Sequence, residues 1–115
     1  MNPAILIQVA LDLTPDKGPQ VLIFPFQPKV DPGETTLVWT RVGSVIFHFA
    51  ELHPAGMFDD FIIDESLITA KYVNCGQPDH DYCLKVRYHG VLYHSGDPQI
   101  TRAITAATGP TIKNG

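Results

Sequence analysis

From Tyr82 to His89 the chain alternates with period two. Tyr82, Leu84, Val86 and Tyr88 fall on one side, and Cys83, Lys85, Arg87 and His89 on the other. Successive side chains of a strand point to opposite faces, so this stretch reads as a β-strand with one buried and one wetted face. Its neighbours have the same character. Residues 4–13, AILIQVALDL, alternate only loosely but are rich in aliphatic and β-branched side chains, and they end at the turn signal Thr14-Pro15-Asp16-Lys17-Gly18-Pro19. QVLIFPFQP is strand-like with a break expected near Pro25, because proline cannot donate to a ladder. Val30-Asp31-Pro32-Gly33-Glu34 is a strong turn. LVWTR and VIFHFAEL, separated by Val42-Gly43-Ser44, read as a β-hairpin whose second arm turns Phe47 and Phe49 to the core.

Between His53 and Leu67 the period is lost. Met57, Phe58, Phe61 and Ile62 recur at near-helical spacing, which predicts a short helical turn with Asp59, Asp60, Asp64 and Glu65 exposed. LITAKYV resumes as a strand, Gly90 turns the chain into VLYHS, and QITRAI reads as the last strand. Ten prolines and nine glycines point to many turns, and turn signals recur every eight to twelve residues. The expected fold is therefore all-β, a Greek-key β-sandwich of about seven to eight strands, cupredoxin-like or immunoglobulin-like, with barrel closure as the alternative. One domain is expected over residues 1–106, with 107–115 a flexible tail.

Charge and composition narrow the function. Twelve acids against eight Lys and Arg give a net charge of −4, and the basic residues are scattered, which argues against a nucleic-acid partner. No apolar run is long enough to span a bilayer, and no membrane partner is expected. Met1-Asn2-Pro3 leads straight into a strand-like segment without the parts of a signal peptide, so the expected location is the cytoplasm, or outside it if a leader has been removed. Cys75 and Cys83 would form a disulfide in an oxidising compartment and remain free thiols in a reducing one.

The most specific motif is Cys75-Gly-Gln-Pro-Asp-His80, a cysteine and a histidine with four residues between them. Together with VDPGETTLVWTR it resembles the cupredoxin family of blue-copper proteins, in which a Cys-x4-His loop supplies a thiolate and an imidazole. The resemblance implies Cys75 and His80 as ligands, His48 as the second imidazole, and Leu84 where the axial methionine usually stands. A cysteine and two histidines make the soft trigonal site that copper favours. More broadly, His80, His89 and His94 flank one hairpin, while His48 and His53 leave another strand, so a copper, zinc or nickel site would draw on these residues. The bland alternative is a set of surface histidines.

Other chemistry lacks its pattern. Asp59, Asp60, Asp64 and Glu65 do not have the alternate spacing of a calcium loop and read as a solvated acidic face. No serine has a nucleophile-elbow setting, and Asp79 and Asp81 flanking His80 imply no reaction. Tyr72, Tyr82, Tyr88 and Tyr93 would make a platform for a glycan or protein if they lay outside, but Tyr82 and Tyr88 share the face of Leu84 and Val86. The expectation is a non-catalytic binding or interaction module, with a protein partner or self-association through free sheet edges. The alternative is a copper- or zinc-binding protein using Cys75, His80, His48, His89 and His94.

Overall fold

A computed structural model describes residues 4–16, 18–53, 55–95 and 110–114. The described residues form eleven strands and one 3-10 turn: β1 (Ala4–Asp12), β2 (Gln20–Phe24), β3 (Lys29–Val30), β4 (Gly33–Arg41), β5 (His48–His53), the turn Ala55–Met57, β6 (Asp59–Ile63), β7 (Leu67–Asn74), β8 (His80–Asp81), β9 (Cys83–Tyr88), β10 (Val91–His94) and β11 (Thr111–Asn114). The protein is all-β and sandwich-like. One layer is a five-stranded sheet in the order β2-β1-β4-β7-β6, the other a three-stranded sheet in the order β10-β9-β5, and a small third sheet, β3-β11-β8, lies at one end.

Alternation fixes which side of each strand meets the core. Ile7 and Val9 of β1, Leu37 and Trp39 of β4, Ile68, Ala70 and Tyr72 of β7, and Leu84 and Val86 of β9 are all buried. Trp39 lies at the middle of this core, with the rings of Phe58 and Tyr82 edge-on to it at 5.6 Å and 5.7 Å. Its indole N–H donates to the Tyr82 hydroxyl at 3.1 Å, so the polar atom of the largest buried side chain is satisfied inside the core. The face expected from the Tyr82–Tyr88 alternation is the one that packs inward.

Two local expectations are corrected. Strands β4 and β5 do not form a hairpin: β4 lies between β1 and β7, whereas β5 pairs with β9 in the other layer. The connection through Gly43 carries the chain across the core, and the Arg41 guanidinium donates to the Phe47 carbonyl at 2.7 Å along the way. The helical turn expected near residue 57 is a single 3-10 turn, and Asp59–Ile63 is the edge strand β6, paired with β7. Its mixed spacing arises from a bulge between Asp59 and Ile62, where Asp60 takes a left-handed conformation at φ 48° and breaks the two-residue period. A similar irregularity between Phe49 and Glu51 shifts the parity of β5, so Leu52 rather than Glu51 follows Phe49 into the core.

Within the expected flexible tail, residues 111–114 form β11, parallel to β3 and antiparallel to β8. Ile112 is fully buried there. An apolar residue in a four-residue segment has no periodicity to reveal it; only the gap between β3 and β8 gives it a place. The expected strand QITRAI lies outside the described residues. The hairpin between β9 and β10 has the two-residue loop His89-Gly90, with φ of 51° and 77°. Two successive positive φ values make the primed turn that matches strand twist, and glycine tolerates the second at no steric cost.

Candidate functional site

The Cys75–Asp81 loop is built around β11. Asn114 is its hub: the Tyr72 hydroxyl donates to Asn114 Oδ1 at 2.8 Å, and Asn114 Nδ2 donates to the carbonyls of Gln77 and Pro78 at 3.1 Å and 2.8 Å. The Asp79 carboxylate accepts from the Asn114 backbone N–H at 2.8 Å and lies 3.6 Å from Lys113 Nζ. Asp81 accepts from the Thr111 hydroxyl at 2.6 Å. The Gln77 side chain folds back, accepting from the Cys75 N–H at 2.6 Å and donating to the Val73 carbonyl at 2.8 Å. Asn74 closes the far side by donating to the Val30 carbonyl at 2.9 Å. The two aspartates that flank His80 thus hold a strand in place.

The five sequence-predicted ligands are distributed over three places. Cys75 is an exposed free thiol on this loop, and His80 in β8 is half-buried with its ring edge-on to Tyr72 at 6.1 Å. His48 and His94 lie on the outer face of the three-stranded sheet, on opposite sides of β9, paired with Arg87 and Lys85. His89 stacks on Tyr88 at the hairpin turn, ring centroids 4.0 Å apart. Among the described residues no group of three His, Cys, Asp or Glu side chains is placed to hold a metal ion. Leu84, at the position corresponding to the axial ligand, is fully buried in the core. Cys83 is a free, half-buried thiol that donates to the Ser95 carbonyl at 3.3 Å, and burial pushes its pKa up, away from the thiolate a ligand or nucleophile needs.

The two outer faces of the sandwich differ in chemistry. On the three-stranded sheet, cross-strand neighbours are His48, Arg87 and Leu92, then Glu51, Lys85 and His94. Lys85 Nζ lies 3.6 Å from Glu51, and His53 and His48 lie 4.0 Å from Glu51 and Glu65. That face is ionic and wetted. On the five-stranded sheet the register aligns Leu6, Val38, Thr69 and Ile62 in one row, and Phe24, Gln8, Thr40 and Leu67 in the next. Leu22 stands opposite Ala10 beyond them. Phe24 is 73% exposed, Ile62 64% and Leu6 55%. Charge on this face lies at its two ends, with Lys71 bracketed by Asp60 at 3.1 Å and Glu34 at 3.9 Å at one and Asp12 opposite Gln20 at the other.

Sequence reasoning did not anticipate this apolar face, although its signal was present. In Ala4-Ile5-Leu6-Ile7 and Val21-Leu22-Ile23-Phe24 apolar residues occupy both parities, so both faces of β1 and β2 are apolar where a half-wetted strand would alternate. The fold and its two unlike faces define an all-β, sandwich-like protein. The chain matches no protein-family model and no curated protein.

Proposed function

We propose that this protein is a non-catalytic binding module whose docking surface is the outer face of the five-stranded sheet. The observation that carries this reading is the cross-strand row Leu6, Val38, Thr69 and Ile62 together with Phe24, Leu22 and Leu67. Contiguous exposed apolar surface of this kind marks an interaction site, because an ordinary solvated sheet face alternates polar residues outward. The Cys-x4-His loop serves the scaffold in this reading. Its aspartates, its carbonyls and Gln77 are engaged with β11 and the loop itself.

The test compares the immobilised natural chain with the double variant Leu6→Glu, Ile62→Glu in extracts of its native host, followed by titration of each purified bound protein. A macromolecule, another copy of the chain included, that binds the natural sequence at least about tenfold more tightly than the variant supports the reading. Partners that bind both equally well, or that respond only to changes in the Cys75–Asp81 loop, would move the docking surface elsewhere.

A further inference from the structure

Resting on that reading, we infer that the occupant of the apolar face is a second copy of this chain, packed sheet against sheet about the row Leu6, Val38, Thr69 and Ile62.

The dimensions fit. Five strands of nine, five, nine, eight and five residues, spaced about 4.8 Å apart at about 3.3 Å per residue, present a face of roughly 600 Å². A stable interface of standard size takes about 800 Å² from each partner, so the face supplies most of what one copy would bury.

The chemistry is self-complementary. An interface with twofold symmetry sets each patch against itself, so every group on it must tolerate its own kind. Apolar side chains do, and so do hydroxyls and carboxamides, which both donate and accept. The centre of this face carries only such groups: Leu6, Val38, Ile62, Leu67, Thr40, Thr69 and Gln8. The cation at its end, Lys71, is already matched within its own chain by Asp60 and Glu34. A strongly charged partner finds no charge at the centre of this face, and with a net charge of −4 the chain can approach its own copy most readily through that uncharged centre.

Several stretches of sheet edge do not offer the same opportunity. β6 carries the bulge and the paired acids Asp59 and Asp60, features that keep an edge from adding strands. Beyond β2, the carbonyls of Phe26 and Pro28 accept from the backbone N–H groups of Thr111 and Lys113, and in β5 the Phe49 N–H donates to the Glu65 carbonyl at 2.9 Å. Association through β6, the segment after β2 or β5 is thus disfavoured relative to the face.

The decisive experiment is sedimentation velocity of the full chain in reductant, over about 1 to 100 μM. Reductant excludes a dimer made by oxidation of exposed Cys75. The expected mass is twice 12.7 kDa. Ile62→Glu and the milder, strand-compatible Ile62→Thr should each weaken the dimer, the first by about a hundredfold and the second by about tenfold. Leu92→Glu on the opposite outer face should leave it unchanged. Circular dichroism of each variant confirms that the fold is retained. A natural chain that stays monomeric over the whole range, or a dimer indifferent to both Ile62 variants, overturns the inference. A monomer that still captures a partner through Leu6 and Ile62 overturns self-pairing and leaves the binding reading intact; a monomer that captures none overturns both.

Discussion

At the scale of single residues the core turns on one polar contact among apolar ones. Trp39 is fully buried, and its N–H has the Tyr82 oxygen as acceptor. Tyr82→Phe removes that acceptor while keeping the ring, so a buried donor is left unsatisfied. The expected loss is about 1–3 kcal/mol, read as a lower denaturation midpoint with an unchanged slope. Burial also pushes the Tyr82 phenol upward in pKa, and burial does the same for Tyr72 against the opposing effect of its bonds to Asn114 and Gln77. A phenol whose folded pKa exceeds its unfolded value stabilises the fold fully below the unfolded value, near 10, and that stability is lost as pH rises toward the folded pKa. Lys71, raised by its hydrogen bond to Asp60, works in the same direction. Stability is therefore expected to be flat from about pH 7 to 8, to begin falling near pH 9 as the raised Cys83 thiol titrates in the unfolded chain, and to fall further above about pH 10, with the phenolate absorbance of the buried tyrosines appearing together with unfolding. Phenolate absorbance from all four tyrosines, complete before any loss of structure, would contradict the burial of Tyr72 and Tyr82.

Among the elements, β11 has the largest effect for its length. It pairs with β3, which continues from the β2 edge of one layer, and with β8, which leads into β9 of the other. Four residues thus tie the two layers at one end. Ile112→Ala should cost about 2–5 kcal/mol, a core-sized penalty within a four-residue strand. Hydrogen exchange of the Thr111 and Lys113 amides, which bond to the Phe26 and Pro28 carbonyls, should be slow in the natural chain and markedly faster in Asn114→Ala. Fast exchange of both amides in the natural chain would show that β11 is not docked. Much of this was hidden in the sequence. Cys75-x4-His80 drew attention because cysteine and histidine are metal-ligating types, while the residues that do the structural work, Asn114, Gln77, Asp79 and Asp81, are ordinary loop residues with no distinguishing pattern.

The whole molecule is a sandwich with one ionic outer face and one apolar outer face. Because β11 and the Trp39, Phe58 and Tyr82 cluster join the layers, unfolding is expected as a single transition, with tryptophan fluorescence and far-ultraviolet dichroism superimposing. Separate midpoints for the two probes would mean that the layers come apart independently. The candidate ligands lie on different parts of this body, so a strong chelator should leave the melting temperature unchanged within about 1 °C. A drop of several degrees would instead reveal a metal bound by the chain. The strands β1, β2, β4, β7, β9 and β10 could be read from sequence, because period-two alternation, β-branched residues and turn dipeptides are local properties. So could the inward face of β9 and the break of β2 at Pro25. Strand partners were a different matter: Gly43 between two apolar runs has the sequence of a hairpin, yet β4 and β5 separate into different layers, since β1 and β7 already flank β4 on both sides. Local composition by itself determined that the chain would be β and which side of each regular strand is apolar. Which strands meet, where β11 docks, and that Leu6, Val38 and Ile62 come together as one surface were decided only by tertiary structure, because register aligns residues far apart in sequence and no local pattern encodes it.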